Sequence, residues 1–143
     1  MDHLEHLAKR VLETGGADAA RAFRDALRPI SDPAVLRGLA GRFYADPEVS
    51  VPIYERLLEL LPEDVLARVE LGFIYFLMGE DGEASRHLGM AQALDSEHVQ
   101  VLTLEAALAH DSAGKVRLYR RILQKDPRNE VARGKLLELG EAP

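Results

Sequence analysis

The 143-residue chain has no cysteine and no tryptophan, and only four Tyr and four Phe. Without Cys there is no disulfide, zinc–thiolate site, cysteine-ligated iron–sulfur cluster or thiol nucleophile. The same absence suits a reducing compartment, so a cytoplasmic location is the expectation. No run of 18 apolar residues occurs, so no helical membrane span is expected. Residues 1–16 lack the apolar core of a secretory signal. Runs of β-branched residues with period two are missing too, which removes the pattern of a strand.

Signatures of catalysis are equally scarce. There is no G-x-S-x-G, no H-E-x-x-H and no Walker A pattern, and Gly15-Gly16 lacks the Lys-Ser/Thr of a phosphate loop. Of five histidines only His3 and His6 share a helix face at i, i+3 spacing, and no carboxylate pair completes a metal site around them. The acid pairs Glu63-Asp64 and Glu80-Asp81 stand at helix N-termini, where they complement the macrodipole. The expectation is a non-enzyme with no cofactor and no metal.

What is present is charge, unevenly distributed. Asp plus Glu number 24 against 18 Lys plus Arg, for a net charge of -6. Residues 46–105 hold 13 acids and only Arg56, Arg68 and Arg86 as bases, whereas residues 113–135 hold eight bases and two acids. Such a pattern permits head-to-tail self-association as a scaffold subunit, held by an acidic middle and a basic end. Nucleic acid is disfavoured as a partner: the basic end has a single aromatic, Tyr119, and no nucleic-acid-binding motif. Arg outnumbers Lys 14 to 4, a bias that points to a GC-rich bacterial source.

Leu, Ala, Glu and Arg dominate the remainder, with Gly, Pro and Asp at short intervals as punctuation. Apolar residues recur at i, i+3, i+4 and i+7, the helical spacing. Nine helices are expected, over 2–14, 17–28, 33–45, 48–61, 65–78, 81–94, 97–110, 113–125 and 128–139, with antiparallel neighbours because the loops are short. Asp32-Pro33, Asp46-Pro47 and Asp126-Pro127 read as an N-cap followed by Pro at the first helical position, and Asp81 as a further N-cap. Pro52 would interrupt a helix running from 48, so that helix is expected to start late, near Ser50. The second half of 65–78 is apolar all round, the mark of a helix that is central or that presents one face to a partner.

The clearest internal unit is residues 65–98, with Leu71-Gly72-x-x-Tyr75, then Ala84, Leu88 and Ala91, then Asp95-Ser96. This resembles the tetratricopeptide repeat, whose first helix carries L-G-x-x-Y and whose second carries A-x-x-x-F-x-x-A. Leu7, Ala8 and Val11 with Ala19, Phe23 and Ala26 give a weaker copy. Leu39, Ala40 and Phe43 with Ser50, Tyr54 and Leu57 give another. The fourth copy departs most, with Glu105 at a large apolar position and Lys115 at a small one. The resemblance implies one all-α domain, a short solenoid of helix pairs over about 1–32, 33–64, 65–98 and 99–127, closed by a cap helix at 128–139.

The resemblance further implies a protein–protein interaction module, an adaptor or assembly factor, with a concave wall built from first helices. On this sequence that wall carries Tyr44, Val69, Phe73, Phe76 and Leu77, flanked by Arg37 and His110, with Lys9, Leu12 and Thr103 at equivalent positions. An apolar groove of this kind takes a peptide or amphipathic helix. The alternative is that these rings pack as core. Val69 and Phe73 occupy positions where the family's carboxylate clamp places polar residues, so an apolar or mixed ligand is expected rather than an acidic chain end.

Overall fold

The structure is a computed structural model and describes residues 2–143. Among them are nine helices and no strand: α1 (Asp2–Thr14), α2 (Ala17–Leu27), α3 (Pro33–Arg42), α4 (Pro47–Leu60), α5 (Val65–Leu77), α6 (Asp81–Asp95), α7 (Val99–Leu108), α8 (Ser112–Lys125) and α9 (Glu130–Glu138). None is long and apolar enough to cross a membrane.

Capping chemistry sets most boundaries. Asp32, Asp64 and Asp111 are the N-caps of α3, α5 and α8, their carboxylates accepting from the amides of Ala34, Ala67 and Gly114. At the far end of α5, Gly79 takes the left-handed conformation (φ +79°) that a side chain would resist. The Gly79 amide donates to Phe76 O at 3.0 Å and the Glu80 amide to Tyr75 O at 2.9 Å, a Schellman closure. Gly140 closes α9 in the same way, through amides reaching Leu137 O and Leu136 O.

Three punctuation marks work differently from their sequence reading. Asp81 is the first residue of α6 and Glu80 its cap, without a side-chain bond. Asp126-Pro127 does not open the last helix: Asp126 terminates α8, and Asn129 caps α9 by accepting from the Ala132 amide at 2.9 Å. The fourth helix does not start late, because α4 begins at Pro47 and carries Pro52 inside it. That Pro leaves the Glu48 carbonyl without its i+4 donor. Glu48 lies on the exposed side, where water can serve the carbonyl, while Pro52 itself is buried.

Consecutive helices pack as hairpins, α1 with α2, α3 with α4, α5 with α6 and α7 with α8. Contacts of α1 and α2 with α4, α4 with α5, α6 with α7, α5 with α7 and α8 with α9 join the hairpins and the last helix into an all-α solenoid. Its interior falls into three apolar clusters. One runs from Leu4 to Ile74 through the first five helices, a second joins Val69 to Leu88, Ala91, Val101 and Leu104, and a third packs α7, α8 and α9 around Tyr119 and Ile122.

At Gly72, α5 is approached closely by both α6 and α7. A β-carbon added to Gly72 would stand 2.6 Å from Leu104 Cδ2 of α7 and 3.7 Å from Ala84 O of α6, so the buried Leu104 side chain would have to shift to admit it. Ala84 and, one hairpin earlier, Ser50 are small and fully buried at the corresponding place on the second helices. Ion pairs cross between neighbouring hairpins: Glu5 with Arg42, Arg24 with Glu55, Arg37 with Asp64, and Arg121 with Glu97.

Lys115 explains its own departure from the small-residue pattern. Its ammonium reaches across to the end of α7 and donates to Ala106 O (2.8 Å) and Ala107 O (3.3 Å). Helix α7 ends at Ala109 in an extended conformation, without a glycine closure, so its last carbonyls need donors from elsewhere. A long cation placed at a helix C-terminus supplies them.

Candidate functional site

On α5, residues 70, 73 and 77 follow at helical spacing along one face, with Phe76 beside them. Phe73 and Phe76 are half-buried and Leu77 is 73% exposed, although it is a large aliphatic side chain. These three form one wall of a concavity of about 420 Å³. Thr103 and Ala107 of α7 form its back, Tyr119 of α8 its floor, and Val131, Lys135 and Leu139 the opposite wall. The helices α5, α7 and α9 thus line an open groove whose surface is mostly aromatic and aliphatic.

Thr103, Lys115 and Lys135 in this groove already have partners. Thr103 Oγ1 donates to Val99 O at 2.8 Å within α7. Lys115 is held by the α7 carbonyls, and Lys135 lies 3.4 Å from Glu138. Burial, with Glu138 nearby, pushes the Tyr119 hydroxyl above its usual range, so it stays protonated. A ligand here meets aromatic and aliphatic surface rather than free charge.

The seven residues expected on the wall divide in the structure. Phe73, Phe76 and Leu77 come together as described. Val69 does not join them: it is 1% exposed and packs against Leu88, Ala91, Val101 and Leu104 where α7 lies on α5. Tyr44 is half-buried, just beyond α3, and faces the Glu70 carboxylate, one turn before Phe73. Burial first and Glu70 next raise the Tyr44 hydroxyl, and the same two causes push Tyr54 up to about 12. Arg37 is exposed but committed to Asp64, which is itself the cap of α5. His110 lies beyond the end of α7, exposed at the edge of a second depression that also includes Phe76, Ser85 and Ala109. Phe76 and Ala107 line both this depression and the main groove.

Sequence reasoning missed the far wall. Val131, Lys135 and Leu139 sit on or just after the helix read as a solvating cap, and Tyr119 and Lys115 belong to a second helix of a pair. Their placement follows from the packing of α7 on α5, of α8 on α7 and of α9 on α8, which no spacing within a helix encodes. Val131 is one of the exposed large apolar residues, and that pattern on a terminal helix is the available hint.

No family model matches the chain, and no curated protein matches it. Among solved structures, it resembles the first TPR of Spaghetti (RPAP3) bound to the HSP90 peptide SRMEEVD, with a TM-score of 0.64 at 16% identity over 76% of this chain and 90% of that one. It also resembles a mutant of MamA, with a TM-score of 0.58 at 19% identity over 99% of this chain and 98% of that one. The chain therefore has the tetratricopeptide-type helical-repeat fold.

Proposed function

We propose that this chain is a protein-interaction module, an adaptor or assembly factor, that holds a peptide or amphipathic helix in the groove between α5, α7 and α9. The observation that carries the reading is the open apolar concavity around Phe73, Phe76 and Leu77, whose Thr103, Lys115 and Lys135 already have partners within the chain. A 73%-exposed Leu beside two aromatic rings is the composition of an interface anchor. The fold agrees, since a structure sharing it holds a peptide. That peptide, SRMEEVD, is rich in acids. The groove here offers it no free cation, so its ligand is apolar at the anchor points, as an amphipathic helix is. The chain acts as one non-catalytic domain of four helix pairs and a cap helix.

Self-association through charge draws less support. Of the eight bases in 113–135, Lys115, Arg120, Arg121, Lys125 and Lys135 have partners within the chain. Among the described residues, that leaves Arg117, Arg128 and Arg133 to meet an acidic surface.

Selection from a displayed peptide library tests the reading. Wild type is expected to enrich sequences with two or three apolar anchors at helical spacing, and Leu77→Asp to lose them. Enrichment of acidic tails, or of peptides held equally by both proteins, would reject the groove as the site.

A further inference from the structure

On the opposite side of α5 lies a second cavity, of about 300 Å³, at the junction of α4, α5 and α6. That volume is at the lower end for small-ligand sites, which run ~300–1,000 Å³. Glu55 and Glu59 line it from α4, Arg68 and Tyr75 from α5, and Arg86 and His87 from α6. It shares no lining residue with the apolar groove.

Its polar groups are incompletely matched, and all in the same sense. His87 is 3% exposed and stacks on Tyr75, with ring centres 5.6 Å apart. Its Nε2 lies 3.3 Å from an Arg86 guanidinium nitrogen, which can only donate, so Nε2 accepts. Burial, then Arg86 and Arg68, hold the ring neutral at neutral pH. The ring proton is therefore on Nδ1, and Nδ1 is buried with no partner. Arg68 Nε is likewise buried with no partner. Both orphans are N–H donors, and both belong to residues of this one cavity.

The charges point the same way. Glu55 pairs with Arg24, Glu59 with Arg56, and Arg86 with Glu83. Among the described residues Arg68 has no carboxylate in reach, and the second guanidinium, Arg86, works against its charge. A half-buried cation without a counterion, its own Nε unmet and His87 Nδ1 unmet in the same cavity, lacks an anionic acceptor. Only one positive charge is uncompensated, and Glu55 and Glu59 line the same cavity. A monoanion fits that balance better than a doubly charged phosphate.

We propose that this cavity binds a carboxylate, accepting hydrogen bonds from Arg68 and from His87 Nδ1. The site is independent of the groove, and its ligand is either a small organic acid or an acidic side chain of a docked polypeptide.

The test is an NMR titration of the full-length wild-type chain, replacing chloride by acetate at fixed ionic strength. The Arg68 Nε–H and His87 ring signals are followed, with phosphate and N-acetyl-glutamate amide as further arms. The expected result is a saturable shift at both groups with acetate, absent in Arg68→Gln, and a His87 titration that moves to higher pH when acetate is bound. Tighter binding of the glutamate derivative than of acetate would identify a polypeptide side chain as the source, and the reverse order a free acid. No saturable shift in wild type would overturn the proposal and leave the cavity to water. So would a shift that survives in Arg68→Gln, or saturation by phosphate alone. Should Arg68→Gln fail to fold, the wild-type titration still decides.

Discussion

Gly72 shows how one absent methyl group sets a helix crossing. Helix propensity alone favours alanine over glycine by about 1 kcal/mol. At Gly72 the added carbon would press to 2.6 Å on Leu104, which is fully buried. Overpacking of this kind destabilises by about 1–3 kcal/mol. Gly89 is also inside a helix, α6, but nothing lies within 4 Å of its would-be β-carbon. Urea unfolding should therefore show opposite signs: Gly72→Ala less stable than wild type, Gly89→Ala more stable by up to about 1 kcal/mol. His87 makes a second prediction at this scale. Its folded pKa is lowered to about 4 from the ordinary 6.5, chiefly by burial. The unfolded chain thus takes up the proton first as pH falls. The contribution of His87 is intact above pH 6.5 and is lost progressively between about 6.5 and 4, up to about 3 kcal/mol. Subtracting the stability–pH curve of His87→Gln from that of wild type should leave a slope in this window and a flat line above it.

Among the elements, α7 depends most on a residue outside itself. Lys115→Met keeps the aliphatic stem but removes the donor to Ala106 O and Ala107 O. A loss of about 1–2 kcal/mol is expected. Hydrogen exchange should quicken at the end of α7 and not in α5. The same helix illustrates what was legible. Where a carboxylate caps a helix locally, as Asp32, Asp64 and Asp111 do, the residue and its position identify the boundary. Where the boundary depends on distant packing, they do not. Asp126-Pro127 has the form of a helix start, yet the chain makes a turn there, and Asn129 three residues later does the capping. Pro52 has the form of a helix stop, yet burial within the first hydrophobic cluster holds α4 together around it. On α5, hydrophobicity on every side conceals which residues meet α7 and which meet the groove. Packing against Val101 and Leu104 takes Val69 and leaves Leu77.

Across the whole molecule, the fold was readable because small residues recur where helix pairs cross, at Ala8, Ala40, Gly72 and Ala106. The groove was readable on one side only. Its α5 wall follows from one helix, whereas Val131 and Leu139 reach it through the successive packing of α7, α8 and α9. The long-range charge asymmetry was plain in the sequence, but its partial neutralisation by Glu97, Glu138 and Glu141 is a property of the folded chain. Leu77→Asp belongs to this scale. An exposed side chain outside the core should change stability by no more than about 0.5 kcal/mol. Thermal unfolding of the variant should match wild type, so any loss of binding reports on the groove itself.

The most direct test is a calorimetric titration of one selected peptide into wild type and Leu77→Asp, each at about 0.1 M and about 0.5 M salt. Exposed charges are screened beyond roughly 10 Å at the lower salt and at still shorter range at the higher. An apolar groove predicts wild-type affinity that holds across the two salts, with a negative heat-capacity change. It also predicts at least a tenfold loss in the variant. Affinity that collapses with salt and is indifferent to Leu77 would contradict the groove, and would place binding on the charged surface instead.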